Sequence, residues 1–264
     1  MLSQLDGRTR ISVIIGTPIA QVRSPEGITR VFQERGINAL LVPMEIAAAD
    51  VAPLVAALGH VPNLDGIVVT VPHKQAALVC CTATSERARF LGAVNVMRRL
   101  ADGGFEGDHL DGESLLAALR AKGIDPAGRR ALLIGAGGAG SAIGLALVEA
   151  GVMQLTIADI DAGRSSDLAS RLGQRVGARV SAGDADARGF DVVVNASPAG
   201  MRPGDAPPLD VTRLAPDMVV ADAVTPPGVS ALIAAAQAAG AATVSGQAMF
   251  DAGAGLLADH LLGF

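Results

Sequence analysis

Lys74 closes the stretch GIVVTVPHKQ (66–75), in which apolar strand residues stop at a proline, a histidine and a lysine. An ammonium group there is either a solvated strand end or a proton-transfer group held at the rim of a cleft. The second role requires positioning and a pKa brought down from a reference of ~10.4. Burial favours that shift, whereas a nearby carboxylate opposes it but orients the group. GDHLDG (107–112) offers such a carboxylate, Asp111, at a helix start. Read alone, Asp111 is first of all an N-cap. The DHLD run faintly resembles a metal loop, but nothing else supplies ligands, so no metal is expected.

A second constellation suits a nucleotide. GAGGAG (135–140) fits G-x-G-x-x-G, with Ala136, Gly138 and Ala139 between the required Gly135, Gly137 and Gly140. Gly135 permits the tight turn, Gly137 lets backbone approach a pyrophosphate, and Gly140 lets the helix lie close to the sheet. The motif follows the apolar ALLI and precedes SAIGLALVEAG, the strand–turn–helix context that a dinucleotide loop requires; a purely structural glycine turn is the alternative. Asp159 ends the next strand. Its carboxylate would accept ribose hydroxyls and repel a 2′-phosphate, so NAD is expected over NADP. Arg164 is near enough to reach a 2′-phosphate, and Asp159 has the simpler reading of a cap on the turn DIDAG.

These residues need a scaffold. Strands are expected at 11–16, 38–44, 65–71 and 93–99, and helices at 24–36 (Ser24 as N-cap, Gly36 as stop), 48–60 and 85–92. A helix at 111–123 and a linker follow. Further strands are expected at 131–135, 154–159, 190–196, 218–224 and 241–246, with Ala-rich helices between them. The alternation implies an α/β fold of two domains. One is an N-terminal substrate domain with a mixed sheet, 1–110, completed by a C-terminal helix, 247–264. The other is a doubly wound Rossmann domain, 111–246. A length of 264 residues agrees with two cores.

Composition narrows the class. Half the residues are apolar, the net charge is −5 and there is no Trp or Tyr, which argues against disorder and against nucleic acid as a partner. Residues 131–148 and 229–250 are uncharged, but their glycines and polar residues break them into shorter elements, so no membrane span is expected. The start shows no apolar leader core. Adjacent Cys80 and Cys81, the only cysteines, make neither a disulfide framework nor a zinc site and suggest a reducing cytoplasm.

Taken in order, GTPIAQVRSP, VVTVPHK, GAVNV, GDHLDG, IGAGGAG, NASPAGM and GQAMF resemble the motifs of the shikimate dehydrogenase family over nearly the whole chain. The resemblance implies that Lys74 and Asp111 are the catalytic pair. It implies that Thr70 and Asn95 meet the substrate's hydroxyl side, Ser24 its carboxylate, and that Asn195 and Ser197 lie near the nicotinamide. Where NADP-using members carry Asn-Arg-Thr, this chain has Asp159, Ile160 and Asp161, a second pointer to NAD.

Departures from the family pattern cluster where the ring would be held. The carboxylate loop reads Gln21, Val22, Arg23, Ser24; Val68 replaces an asparagine, His109 and Leu110 replace Asn-Thr, Thr225 a tyrosine and Gly253 a glutamine. Val22, His109 and Gly253 are therefore the positions where substrate choice is expected to differ. Three activities follow: a dehydrogenase acting on a bulkier or less polar cyclic hydroxy acid, an ordinary shikimate or quinate dehydrogenase, or an inactive NAD sensor. Retention of Lys74 and Asp111 argues against the last. A monomer or a homodimer is expected.

Overall fold

The computed structural model describes residues 5–20, 22–175, 179–202, 204–226 and 228–264; Gln21 lies outside them. The chain forms two compact units, one of residues up to Leu110 with Gly253–Phe264, the other Asp111–Ala252.

The first unit contains β1 (Arg10–Gly16), α1 (Ser24–Glu34), β2 (Ala39–Glu45), α2 (Val51–Gly59) and β3 (Leu64–Val69). It continues through α3 (Lys74–Leu78), β4 (Ala83–Thr84), α4 (Glu86–Leu91), β5 (Val96–Arg99) and β6 (Phe105–Asp108). The sheet is mixed, in the order β2-β1-β3-β5-β6-β4. β1 runs parallel to β2 and β3, and β5 antiparallel to β3 and β6. Alternate residues of β1 and β3 enter opposite cores, as a period of two demands. Val13, Ile15, Ile67 and Val69 pack with Val51 and Val55 of α2. Ile14 and Val68 pack with Ile28 and Phe32 of α1 and with Ala254, Ala258 and Leu261. Covering both faces explains why these strands read as continuous apolar runs.

Two local expectations change. Ser24 is the first helical residue of α1 rather than its cap; Arg23 holds the cap position with helical dihedrals (φ −101°, ψ −11°), and its side chain makes no cap hydrogen bond. Lys74 does not end a strand but opens the short helix α3, one turn beyond β3.

The second unit begins with α5 (Asp111–Ala121), β7 (Arg130–Ile134), α6 (Gly138–Glu149), β8 (Gln154–Ala158), α7 (Ala162–Gly173) and β9 (Arg179–Ala182). It ends with β10 (Val192–Asn195), β11 (Val219–Asp222), α8 (Ala231–Ala238), β12 (Ala242–Val244) and the start of α9 (Gly246–Leu262). Its strands are all parallel, in the order β12-β11-β10-β7-β8-β9. This is the doubly wound order, with its switch point between β7 and β10. Gly112 lets α5 lie against α6, since a Cβ there would overlap the Ala142 carbonyl oxygen. The stretch 131–148 resolves into β7 and α6, and 229–250 into α8, β12 and the first turn of α9. Among the described residues no helix is long and apolar enough to cross a membrane.

Candidate active site

In the second unit the glycine loop lies at the switch point. Gly135 has φ +102°, and a Cβ on it would press on Ala196 and on the Ser197 nitrogen just past β10; a Cβ on Gly140 would overlap the Gly135 carbonyl oxygen. Both glycines therefore close the turn tightly. Gly137 and Gly138 differ, because nothing lies within 4 Å of where their Cβ would be. Gly137 occupies the N-cap of α6 and places no side chain over its first N–H groups. The open ground around Gly138 and Ala139, with the helix dipole behind it, fits the pyrophosphate of a dinucleotide.

Asp159 holds this loop from below. Its Oδ2 accepts from the Ala136 N–H (2.7 Å) and its Oδ1 from the Asp161 N–H (2.9 Å). Burial pulls the carboxyl's pKa up, but those two N–H donors and the charge of Arg164 outweigh it, so it titrates below its usual value. Asp161 caps α7 by accepting from the Gly163 and Arg164 N–H groups. The exposed Arg164 side chain lies 3.6 Å from the Asp161 carboxylate.

Asn195 and Ser197 are placed together, but facing the protein. Asn195 is fully buried, donates to the Ala199 carbonyl (3.0 Å) and to Asp222 Oδ1 (2.9 Å), and accepts from Ser197 Oγ (2.7 Å) and the Ser197 N–H (3.0 Å). The Asn195 side chain thus shapes the 195–199 turn. Its partner Asp222, at the end of β11, carries no motif in the sequence. Asp222 is 1% exposed and accepts from Ser230 Oγ (2.6 Å), the cap of α8. Burial raises its pKa despite three hydrogen bonds, from Ser230, the Val224 N–H and Asn195.

In the first unit, Lys74, Thr70, Asn95 and His109 converge through the main chain. The Thr70 carbonyl accepts from the His73 N–H (3.0 Å), and His73, 1% exposed, bonds the Ile46 carbonyl through Nε2 (3.0 Å). This fixes the turn that carries Lys74. The Lys74 carbonyl accepts from the Val94 N–H (3.0 Å), and the next N–H, of Asn95, donates to the Asp108 carbonyl (2.9 Å). Asn95 Oδ1 then accepts from the Leu110 N–H (2.8 Å). The dipeptide 94–95 therefore ties the backbone of Lys74 to the residue preceding Asp111, and Asn95 spends its oxygen on that tie. Asp111 itself is the first residue of α5.

Of the remaining positions, Ser24 is half-buried at the start of α1, His109 is buried, and Gly253 is buried within α9. Val22 packs against the apolar cluster that contains Val68, Leu110 and Ala254. The replacements of polar family residues at 22, 68 and 110 thus join one hydrophobic core.

Residues 14–97 match the family model described as shikimate dehydrogenase substrate binding domain. The chain is 38% identical over 252 residues to a shikimate dehydrogenase (NADP(+)) of Rubrobacter xylanophilus, covering 93% of this chain and 88% of the relative. With one of Acidiphilium cryptum it shares 39% identity over 245 residues, covering 93% and 87%. Among solved structures, the ligand-free 5-ketofructose reductase of Gluconobacter sp. strain CHM43 superposes with a TM-score of 0.91 at 28% identity, covering 98% of this chain and 95% of that one. The relatives' names overturn the expectation of NAD: both point to NADP. The physical reason lies at Asp159. The carboxylate read as a ribose acceptor accepts from the Ala136 and Asp161 N–H groups, a loop-holding role that accounts for the residue whichever cofactor binds.

Proposed function

The chain belongs to the shikimate dehydrogenase family as an NAD(P)-dependent dehydrogenase, and from that premise we propose that it transfers hydride between NADP(H) and the ring carbon that bears a hydroxyl in shikimate and a ketone in its oxidised form. The observation that carries this reading is the tie through Val94 and Asn95, which joins the Lys74 carbonyl to the segment leading into Asp111. Residues so far apart in sequence are served by one dipeptide. When bound, the nicotinamide supplies the hydride acceptor. Lys74, as the neutral amine, takes the hydroxyl proton, Asp111 supports the ammonium group that results, and Thr70 holds the hydroxyl side. Gly137 and Gly138 give the pyrophosphate room at the start of α6, and Arg164 turns from Asp161 to the 2′-phosphate. The thiols of Cys80 and Cys81 are free, and burial, ahead of the neighbouring thiol, pushes Cys81 up to about 12. Inert thiols suit the reducing cytoplasm where we place the enzyme.

Steady-state oxidation of shikimate, with NADP⁺ and NAD⁺ compared, tests this. Turnover with NADP⁺ favoured is expected. Lys74→Ala should lower kcat by about 10²–10⁴-fold with NADP⁺ binding unchanged. Wild-type protein inactive on every hydroxy acid, or a Lys74→Ala variant of full activity, would end the proposal.

A second reading concerns the substrate alone. The apolar side chains at 22, 68 and 110 and the glycine at 253 remove groups that would hold a carboxylated ring. Each charge-assisted hydrogen bond lost is worth roughly 1.5–3 kcal/mol. A less polar cyclic alcohol, or a polyhydroxy ketone like that named for the Gluconobacter reductase, would then be preferred. Relative kcat/KM for shikimate, quinate, carboxylate-free analogues and 5-ketofructose decides; the highest value with shikimate rejects the second reading.

A further inference from the structure

We propose that Ser85, Arg87 and Asp108 are positioning residues for Asp111, clamping the strand end that delivers it; this rests on the role given to Asp111 above. β6 ends at Asp108, which is 7% exposed. Asp108 Oδ2 accepts from an Arg87 terminal nitrogen (2.7 Å), and Oδ1 from Arg87 Nε (3.2 Å), Ser85 Oγ (2.5 Å) and the His109 N–H (2.7 Å). Ser85 Oγ also accepts from the Ala88 N–H (3.0 Å), so the clamp is mounted on the N-cap of α4. The next amide, of Leu110, is held by Asn95. Both peptide N–H groups between Asp108 and Asp111 are therefore fixed by side chains, and the side chains of His109 and Leu110 are themselves buried.

Stability alone is a weak reason for such an arrangement. A largely buried ion pair is often replaceable by apolar residues of similar volume without loss of stability. What an apolar pair cannot reproduce is direction. The guanidinium fork grips both carboxylate oxygens and sets the carboxylate's plane, and one of those oxygens sets the His109 amide. Asp111 follows two residues later with no glycine between to absorb an error. A displacement of about 1 Å at a reacting group costs on the order of 100-fold in rate.

The test uses the full chain carrying Arg87→Met with Asp108→Leu, and separately Arg87→Lys, which keeps the charge but loses the fork. Both variants are expected to keep the wild-type melting temperature within a few degrees. Exchange of the His109 amide should accelerate in the double variant. The kcat for shikimate should fall about 10- to 100-fold there and about tenfold in Arg87→Lys, with KM for NADP⁺ unchanged. A folded double variant with wild-type kcat overturns the proposal. If that variant does not fold, Arg87→Lys decides alone, and undiminished kcat in it overturns the proposal. Wild-type protein inactive on shikimate, quinate, their carboxylate-free analogues and 5-ketofructose overturns the reading of Asp111 and this inference with it; active wild type with undiminished variants overturns only this inference.

Discussion

Gly137 and Gly140 are one turn apart, yet an added methyl group would act oppositely at the two. At Gly140 it would overlap the carbonyl oxygen of Gly135, and only a shift of backbone could relieve that. At Gly137 it meets nothing within 4 Å, and the dihedrals (φ −77°, ψ −164°) suit any residue. Gly140→Ala should therefore destabilise the protein by about 1–3 kcal/mol, the usual cost of overpacking. Gly137→Ala should leave the melting temperature unchanged and weaken NADP⁺ binding, because the new methyl group fills the space assigned to the pyrophosphate. Thermal melts and cofactor titrations of both variants check this. Unchanged affinity in Gly137→Ala would move the pyrophosphate elsewhere.

Among the elements, the ends of β10 and β11 carry the least expected chemistry. Asn195 and Asp222 are register partners, and Asp222 also grips the cap of α8. Its pKa is raised by burial. The folded state therefore holds the Asp222 proton more tightly than the unfolded chain does. The linked stability is complete below the unfolded value of ~3.9 and is lost as pH rises through the folded value. The stability of the wild type relative to Asp222→Asn should accordingly fall as pH rises from about 3.5 and level off above the folded pKa. Urea unfolding across that range measures it; a difference that grows with pH would mean the carboxylate is ionised and satisfied in the fold. Nothing in the motif NASPAGM discloses this network, because Asp222 lies on another strand. The tie from Asp159 to Ala136 and the clamp from Arg87 to Asp108 are equally long-range. Local patterns were readable: the alternation in β1 and β3, the strand–turn–helix around Gly135, and the α/β class itself. β4, with two residues, and β9, a largely exposed RVSA, have no apolar period to read. The five-residue α3 is too short to show one.

At the scale of the molecule, the first unit is discontinuous: its core is finished by residues 253–264, which follow the second unit in sequence. Ala254, Ala258 and Leu261 are 2%, 0% and 2% exposed, packed with Ile14, Ile28, Phe32 and Val68. Gly66 of β3 shows how close the approach is, since a Cβ there would lie 2.7 Å from Leu261 Cδ2. The second unit folds from one continuous segment, whereas the first must bring together residues from opposite ends of the sequence. Contacts of such separation slow folding, because loop closure precedes the gain from packing. Leu261→Ala should cost about 2–5 kcal/mol, the range for emptying a buried leucine site. The loss belongs to the first unit alone. Hydrogen exchange should rise in β1, β3 and α1 while β7, β8 and β10 keep wild-type protection. Because Asn95 and Asp108 are held by that same sheet, kcat should fall before NADP⁺ binding does as denaturant is added to the variant. Simultaneous loss of protection in both sheets would instead show that the two units unfold as one.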